Sequence, residues 1–398
     1  MTTIGQRELE SPENPGAADP ERTSGYSSSS ASITVSRIDD GDQWNRFVLG
    51  FAGQDYKQGF EWGEMRHEQG WAPTRFAVVR DGECLAACSI MTREVPALGT
   101  IVYAPRGPLF RSDEPAALDR LLDEIGHFAQ RVGAVLVRLS PGIRMDDVDG
   151  RRVLDRRGLV ELAEAWTTWN TPRYVQVLRL DADERTLLSR VRRRMREYIL
   201  SAPRKGLVIG PSDRDEDLVA FHALMVNLGR IKGFPVRSLG YYRALARHYR
   251  AAGAYTLLVA RAGETIVGGL VAVSFGRRAY LLYTSVRGNA PDQIRHHIAP
   301  AISWEFVRRA LAAGCEVADF GGSGVQIPPS DRDAGWGVYH FKAGLGCTLE
   351  TFVPFRDLVL RPRRYGALRL VETKVLPPAW TLMARMPALV PRLAGVGA

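Results

Sequence analysis

The residues best suited to chemistry lie around Lys342, at the end of the sequence Tyr339-His340-Phe341-Lys342. Upstream, residues 316–320 predict a short buried strand, and the two glycines that follow, Gly321 and Gly322, predict a tight turn. Lys342 itself has aromatic and apolar neighbours. An ammonium that loses part of its water there acts strongly on a nearby reacting group. A lysine that extends its aliphatic stem to reach solvent gives the same pattern, so both interpretations stand at this point.

Length and composition limit the kind of protein and the kind of partner. The chain has 398 residues, which allows two or three domains at roughly 150 residues each. Its net charge of +9, supplied mostly by arginine, favours nucleic acid, a phosphorylated substrate or an acidic membrane face. The four cysteines have no paired spacing, and no further ligand completes a site around His296-His297. We therefore expect a reduced protein with no metal and no cofactor.

The two ends of the chain differ in composition from its centre. Residues 1–32 are rich in Ser, Thr, Pro, Gly and Glu and have almost nothing to bury, which predicts a disordered tail. Residues 363–398 predict helices interrupted by prolines, which dock on the body or rest on a membrane. No signal core and no apolar run of about 18 residues is present in the sequence. We expect a cytoplasmic protein, with peripheral contact at the inner face of the plasma membrane as a further possibility.

The same order of elements is predicted twice: helix, helix, hairpin, strand, helix, strand. The first copy begins with a helix whose N-cap is predicted at Asp42, and its hairpin turns at Asp81-Gly82. The second copy runs from residue 215 to residue 320. This order is typical of acetyltransferase-like domains. The sequence therefore predicts an α/β fold of two tandem acetyltransferase-like (GNAT) domains with mixed, largely antiparallel sheets.

The densest positive charge is predicted on one helix over residues 184–202. Its arginines include Arg193, Arg194 and Arg196, which cannot all be buried, so a broad face of the helix is basic. This face fits a solubilising surface and equally fits contact with the backbone of a tRNA. Further along, Arg237 and Tyr241 are four residues apart at the start of a helix and share a face. That pair fits either a phosphate-binding site or a solvated helix start.

Several stretches, taken together and in order, resemble the FemABX aminoacyltransferases, which build the peptide cross-bridges of bacterial peptidoglycan. They are residues 58–63, 103–108, 230–237 with Tyr241-Tyr242, 280–283, 304–322 and 341–346. The resemblance implies a first GNAT-like domain of residues 33–174 completed by residues 352–398, and a second of residues 175–351. No heptad run is present in the second domain, so the chain resembles the members that have no coiled-coil arm.

The resemblance also implies an activity and residue roles. It implies transfer of an amino acid from aminoacyl-tRNA onto an amine of the stem peptide of a nucleotide-linked or lipid-linked peptidoglycan precursor. Lys342 and Phe341 would be catalytic, with the ammonium at the developing oxyanion. The residues implied in binding the acceptor are Arg66, Tyr103, Arg106, Arg237, Tyr241 and Tyr283. Arg66 stands where the family often has a lysine, which keeps the charge but changes the geometry.

The sequence is also compatible with three other functions. An acyl-CoA-dependent N-acyltransferase shares the fold, although Arg287-Gly288-Asn289-Ala290 is only a fragment of a loop that would bind the pyrophosphate of CoA. A non-catalytic RNA-binding protein would need only the basic helix. A tRNA-dependent enzyme that modifies a secondary metabolite would use the same chemistry on another acceptor.

Overall fold

The computed structural model describes residues 33–162, 171–324, 329–333 and 335–375. The predicted disordered tail and the C-terminal residues from 376 onward lie outside these ranges. So does part of the polar loop that precedes Lys342. Within the described ranges, none of the helices is both long enough and apolar enough to cross a bilayer.

The described chain alternates between strands and helices in two successive parts. The strands are Thr34–Arg37 (β1), Ala72–Arg80 (β2), Glu83–Val95 (β3), Gly99–Arg106 (β4), Leu109–Phe110 (β5), Ala134–Pro141 (β6), Val160–Leu162 (β7), Tyr174–Arg179 (β8), Leu207–Pro211 (β9), Tyr255–Ala262 (β10), Thr265–Phe275 (β11), Arg278–Val286 (β12), Val317–Gly322 (β13), Thr348–Thr351 (β14) and Phe355–Val359 (β15). The helices are Gly41–Leu49 (α1), Phe60–His67 (α2), Pro115–Arg131 (α3), Val148–Asp155 (α4), Glu184–Arg190 (α5), Arg193–Ser201 (α6), Asp215–Lys232 (α7), Leu239–Ala251 (α8), Asp292–Ala312 (α9), Trp336–Gly344 (α10) and Pro362–Leu370 (α11).

Two mixed sheets organise these elements. The first has the strand order β1-β2-β3-β4-β6-β15-β7, with β5 paired to β3, and the second has the order β14-β8-β13-β12-β11-β10-β9. All pairs are antiparallel except β4 with β6 and β12 with β13. Each parallel pair is joined by a long helix, α3 in the first part and α9 in the second. The prediction of two mixed, largely antiparallel sheets of the same design is therefore confirmed.

The two predicted hairpins form at the expected turns. Strands β2 and β3 meet at Asp81 and Gly82, both with positive φ, which gives the local twist that a two-residue hairpin needs. Strands β10 and β11 meet at Gly263, where φ is +57°. Because side chains alternate across each strand, one face of each hairpin is free to pack against the helices of its part.

A strand from the C-terminal region completes the first sheet. Strand β15 lies between β6 and β7, with Asp357 directly opposite Arg138. Arg138 donates to both carboxylate oxygens of Asp357, at 2.8 and 2.7 Å, and to Glu372 at 2.5 Å. All three side chains are buried. Buried charges need such paired hydrogen bonds, so this cluster fixes the C-terminal strand to the first sheet.

Two predicted details of the helices are wrong. The N-cap of α1 is Asp40 and not Asp42, because the Asp40 carboxylate accepts from the backbone N–H of Gln43 at 2.6 Å. The single basic helix predicted over residues 184–202 is two helices, α5 and α6. Val191 and Arg192 between them are extended, with Val191 buried in the second core. The Arg192 N–H donates to the Gly344 carbonyl at 2.8 Å and not to a carbonyl of α5.

Candidate functional site

The two sheets meet along aromatic contacts that also place the candidate site. Tyr56, in the loop before α2, lies 4.7 Å from Tyr280 of β12, measured between ring centroids. Tyr249 of α8 donates to the Tyr56 carbonyl at 3.3 Å. Hydrophobic side chains of both parts form one continuous core around these rings. Residues of α2, α8 and β12 are thereby brought close together.

Four of the predicted acceptor-binding residues form one cluster near Tyr56, called the cleft cluster below, and they come from both parts of the chain. Tyr283 donates to the hydroxyl of Tyr241 at 3.1 Å, and the Arg237 guanidinium lies 5.2 Å from the centroid of the Tyr241 ring. Arg66 is close enough to Tyr241, Arg237 and Tyr283 to interact with them electrostatically. The structure thus brings together an arginine from α2 and three side chains from around α8 and β12.

Arg66 is buried beside two tryptophan rings. Its guanidinium lies 5.8 Å from the ring centroid of Trp62 and 5.5 Å from that of Trp71. Burial lowers its pKa to about 10, with Arg237 adding to the effect and Tyr241 opposing it. A guanidinium stacked between indoles has restricted rotamers, so its hydrogen-bonding edge is presented in a fixed direction.

Tyr103 and Arg106 form a second group on the side of the first sheet. The hydroxyls of Tyr103 and Thr171 are 2.7 Å apart, and Arg106 donates to the Pro172 carbonyl at 2.7 Å. The Arg106 guanidinium also lies 3.9 Å from the ring centroid of Phe352. Arg106 has a φ of +56°, an uncommon backbone conformation for a residue other than glycine. Its side chain thus binds the backbone at Pro172, shortly before β8.

Lys57 belongs to the same group and was not predicted. Its ammonium donates to the Thr171 hydroxyl at 3.1 Å and lies 5.7 Å from the centroid of the Tyr56 ring. Burial lowers the pKa of Lys57 to about 7, with Arg106 and Arg237 also lowering it, while Asp55 and Asp319 oppose the shift. Burial likewise raises the pKa of Asp55, against the attraction of Arg106 and Lys57. Thr171 and Arg106, which surround Lys57, lie far from it in the sequence, so no local sequence pattern identifies Lys57.

Lys342 lies on α10 and is held by Gly321 and Gly322, the last two residues of β13, where the backbone turns and the pairing with β8 is irregular. Its ammonium donates to the carbonyl oxygens of Gly321 at 3.1 Å and Gly322 at 2.7 Å. An ammonium has three donors, so one has no acceptor among the residues that the structure describes. Burial lowers the pKa of Lys342 to about 8, and the nearby Asp319 carboxylate opposes the shift. The neighbouring Phe341 is partly buried against the second core.

The start of α6, which packs mainly on α9, also touches the end of α10. Besides the backbone hydrogen bond from Arg192 to Gly344, the Arg192 guanidinium is 2.6 Å from Nε2 of His340. A side chain at Gly344 would collide with the sulfur of Met195, so glycine at this position leaves room for the Met195 side chain. The predicted tRNA-binding residues Arg193 and Arg194 are exposed, and Arg196 is half-buried and donates to the Ser189 carbonyl at 3.0 Å.

The group of Tyr103, Arg106 and Lys57 shares a charged neighbour with Lys342. Asp319 on β13 interacts electrostatically with Lys57 on one side and with Lys342 on the other. Phe341 is placed by the core and not by contact with the cleft residues. In the described part of the chain, no group of His, Cys, Asp and Glu side chains is arranged to hold a metal ion. The chemistry available is thus that of cations, hydroxyls and backbone groups around a cleft.

Comparison with known proteins agrees with this architecture. A model of the FemAB family matches residues 41–262, and a model of the acetyltransferase (GNAT) domain matches residues 187–342. The lipid II:glycine glycyltransferase of Staphylococcus aureus is 29% identical over 201 residues, 49% of this chain and 48% of that protein. The chain therefore spans about half the length of the curated relatives it matches.

Solved structures show the same fold at lower sequence identity. The crystal structure of FemX has a TM-score of 0.75 at 20% identity and covers 85% of this chain and 100% of its own. The structure of L-PGS from Bacillus licheniformis has a TM-score of 0.51 at 14% identity, covering 90% and 98%. These likenesses confirm the predicted fold of GNAT-like domains. Because the FemAB model matches more than half of the residues, including Arg66, Arg237 and Tyr241 of the four clustered side chains, the chain belongs to the FemAB family.

Proposed function

We propose that this protein is an acyltransferase that moves an amino acid from aminoacyl-tRNA onto an amine of a peptidoglycan precursor. The acceptor is suggested by the S. aureus relative, whose name states that it transfers glycine to lipid II. The single observation that supports the donor is the contact of Arg192 and Met195 with Gly344 at the end of α10, because the exposed Arg193 and Arg194 lie between Arg192 and Met195 in the sequence. A tRNA backbone on α6 would bring its acylated end toward Lys342.

The proposed reaction needs no covalent enzyme intermediate, because the ester of aminoacyl-tRNA is already activated. A neutral amine of the acceptor attacks the ester carbonyl, the C–N bond forms, and the carbonyl oxygen becomes an oxyanion. The tetrahedral intermediate then collapses, the bond to the ribose oxygen breaks, and that oxygen takes up a proton while the new amide nitrogen loses one. The third donor of the Lys342 ammonium suits the oxyanion.

The cleft cluster suits the phosphorylated part of the acceptor. Arg66 and Arg237 supply two planar guanidiniums, which pair well with phosphate oxygens. Tyr241 and Tyr283 supply hydroxyls and ring faces beside them. Tyr103, Arg106 and Lys57 extend the positive cleft on the side of the first sheet. Aligning the acceptor amine and the ester in such a cleft accounts for much of the rate.

A second candidate function is acyl transfer from acyl-CoA, since the GNAT domain model matches residues 187–342. The test is to incubate the protein with a pool of charged tRNAs or with acyl-CoA, together with lipid-linked and nucleotide-linked muropeptides. We expect a mass gain of one amino acid on a muropeptide that depends on charged tRNA and disappears after ribonuclease treatment. A mass gain that requires acyl-CoA and survives ribonuclease would replace the proposal with the second candidate.

A further inference from the structure

The turn that holds Lys342 is itself held by Asp319, a buried carboxylate with no part in the reaction described so far. One carboxylate oxygen accepts from the backbone N–H of Gly321 at 2.6 Å. The other accepts from Nε and Nη2 of Arg278 at 3.1 and 2.7 Å. Asp319 therefore connects a fixed cation on β12 to the peptide group whose neighbouring carbonyls bind the Lys342 ammonium.

The backbone of this turn is unusual for the end of a strand. Gly321 has a φ of +71°, and the pairing of β13 with β8 is irregular between Asp319 and Gly322. A Cβ at Gly322 would lie 2.8 Å from Cβ of Pro172, closer than atoms of this kind approach. The chain needs glycine at both positions to turn two successive carbonyl oxygens toward one ammonium.

Arg278 is anchored on its far side as well. Its Nη2 donates to Glu350 of β14 at 3.0 Å, and the other oxygen of Glu350 accepts from Arg179 at 2.8 Å and from Arg144 at 3.3 Å. The chain of hydrogen bonds thus spans three elements of the second sheet before it reaches the turn. Such a network leaves Asp319 little freedom to move, and each buried charge in it has a partner.

We propose that Asp319, held by Arg278, is a positioning residue for Lys342: it fixes the backbone at Gly321 and Gly322, whose carbonyls hold the ammonium, and so aims the remaining donor of that ammonium. The inference rests on the proposed role of Lys342 in acyl transfer. A misplacement of about 1 Å can cost about 100-fold in rate, so a group that acts only through Lys342 has a measurable effect. Asp319 touches neither substrate in this account.

The experiment separates the charge of Asp319 from its geometry. Asp319→Asn removes the charge but keeps an oxygen that can accept from Gly321, and Asp319→Glu keeps the charge on a longer arm. The matched control is Asp217→Asn, because Asp217 is equally buried and accepts from Arg261 at 2.6 Å but belongs to α7. Each variant is assayed for kcat, both KM values and the dependence of kcat on pH, with its melting temperature recorded.

We expect Asp319→Asn to lower kcat about 10-fold with both KM values within about twofold of the wild type. Lys342 acts in its charged form, so kcat falls as the pH rises through its pKa. Loss of a carboxylate that favours the charged form lowers the pKa of Lys342, so kcat should begin to fall at a pH about one unit lower than in the wild type. Asp319→Glu should lower kcat without changing the pH at which kcat falls. Asp217→Asn should lower the melting temperature, also without changing that pH.

If Asp319→Asn lowers only the melting temperature, as expected for Asp217→Asn, and leaves kcat and its pH dependence unchanged, the inference is wrong. The proposed function would still stand in that case if Lys342→Met abolishes turnover. If Lys342→Met retains normal kcat, the proposed chemistry is wrong and Asp319 loses its role with it. Arg278→Lys provides a second test where Asp319→Asn does not fold, because it keeps a cation but cannot hold the carboxylate through two nitrogens. It should lower kcat about fivefold at unchanged KM values, and an unchanged kcat would contradict the inference.

Discussion

At the scale of single residues, Lys342 is the group whose removal should cost the most. Replacing it by methionine keeps the length and the apolar stem, so α10 can still pack, but the charge at the oxyanion is lost. We expect Lys342→Met to lower kcat by about 100-fold or more, with the affinities for aminoacyl-tRNA and acceptor nearly unchanged. Steady-state kinetics with direct binding measurements would check this. A folded Lys342→Met protein with near-normal kcat would leave alignment alone to explain the rate.

Lys57 should leave a signature in the pH dependence of stability. Its pKa is about 7 in the folded protein, well below the usual value of a lysine, because burial disfavours the charge. The unfolded chain therefore binds more protons between pH 7 and 10, and stability from this group rises with pH across that window and is lowest below pH 7.

The expected result is that Lys57→Met raises the melting temperature relative to the wild type by several degrees more at pH 6 than at pH 9. Comparing the two pH values cancels the change in packing, which is the same at both. Lys232→Met, at an exposed lysine on α7, serves as the control. An equal difference at pH 6 and pH 9 would show that Lys57 is not a destabilising buried charge.

At the scale of elements, the position of α6 predicts how the protein responds to salt. Arg193, Arg194 and Arg196 changed together to Gln should weaken tRNA binding and reduce the salt dependence of log K by up to about 2, since fewer counterions are released. The matched control changes Arg243, Arg247 and Arg250 on α8, which lowers the net charge equally on another exposed helix. If both triple variants lose the same affinity and slope, general charge and not α6 binds the tRNA.

The elements themselves were largely predictable, because apolar periodicity and turn residues act locally. The Asp81-Gly82 hairpin and the repeated order of helices and strands follow from such signals. The break between α5 and α6 does not, because the Arg192 N–H is taken by Gly344, about 150 positions later in the chain. Lys57 escaped prediction for the same reason, since Thr171 and Arg106 create its surroundings. Contacts between residues far apart in the sequence determine both the helix break and the environment of Lys57.

At the scale of the whole molecule, the C-terminal region is tied to a sheet formed almost wholly by the first part of the chain. Strand β15 lies between β6 and β7, and the Arg138 guanidinium binds Asp357 and Glu372 with all three groups buried. We propose on this basis that residues 352–375 belong to the first domain. Breaking a buried ion pair at one partner leaves the other charge uncompensated, which costs about 3 to 5 kcal/mol.

Arg138→Met should therefore lower the melting temperature by about 10 °C, whereas Arg131→Met, at an exposed pair with Glu124, should change it by no more than about 2 °C. Hydrogen exchange locates the effect: amides of β6, β15 and α11 should exchange faster in Arg138→Met, while those of β10 and β11 keep their protection. Faster exchange spread equally over both sheets would mean that the two parts unfold as one unit and that the C-terminal strand does not belong to the first domain alone.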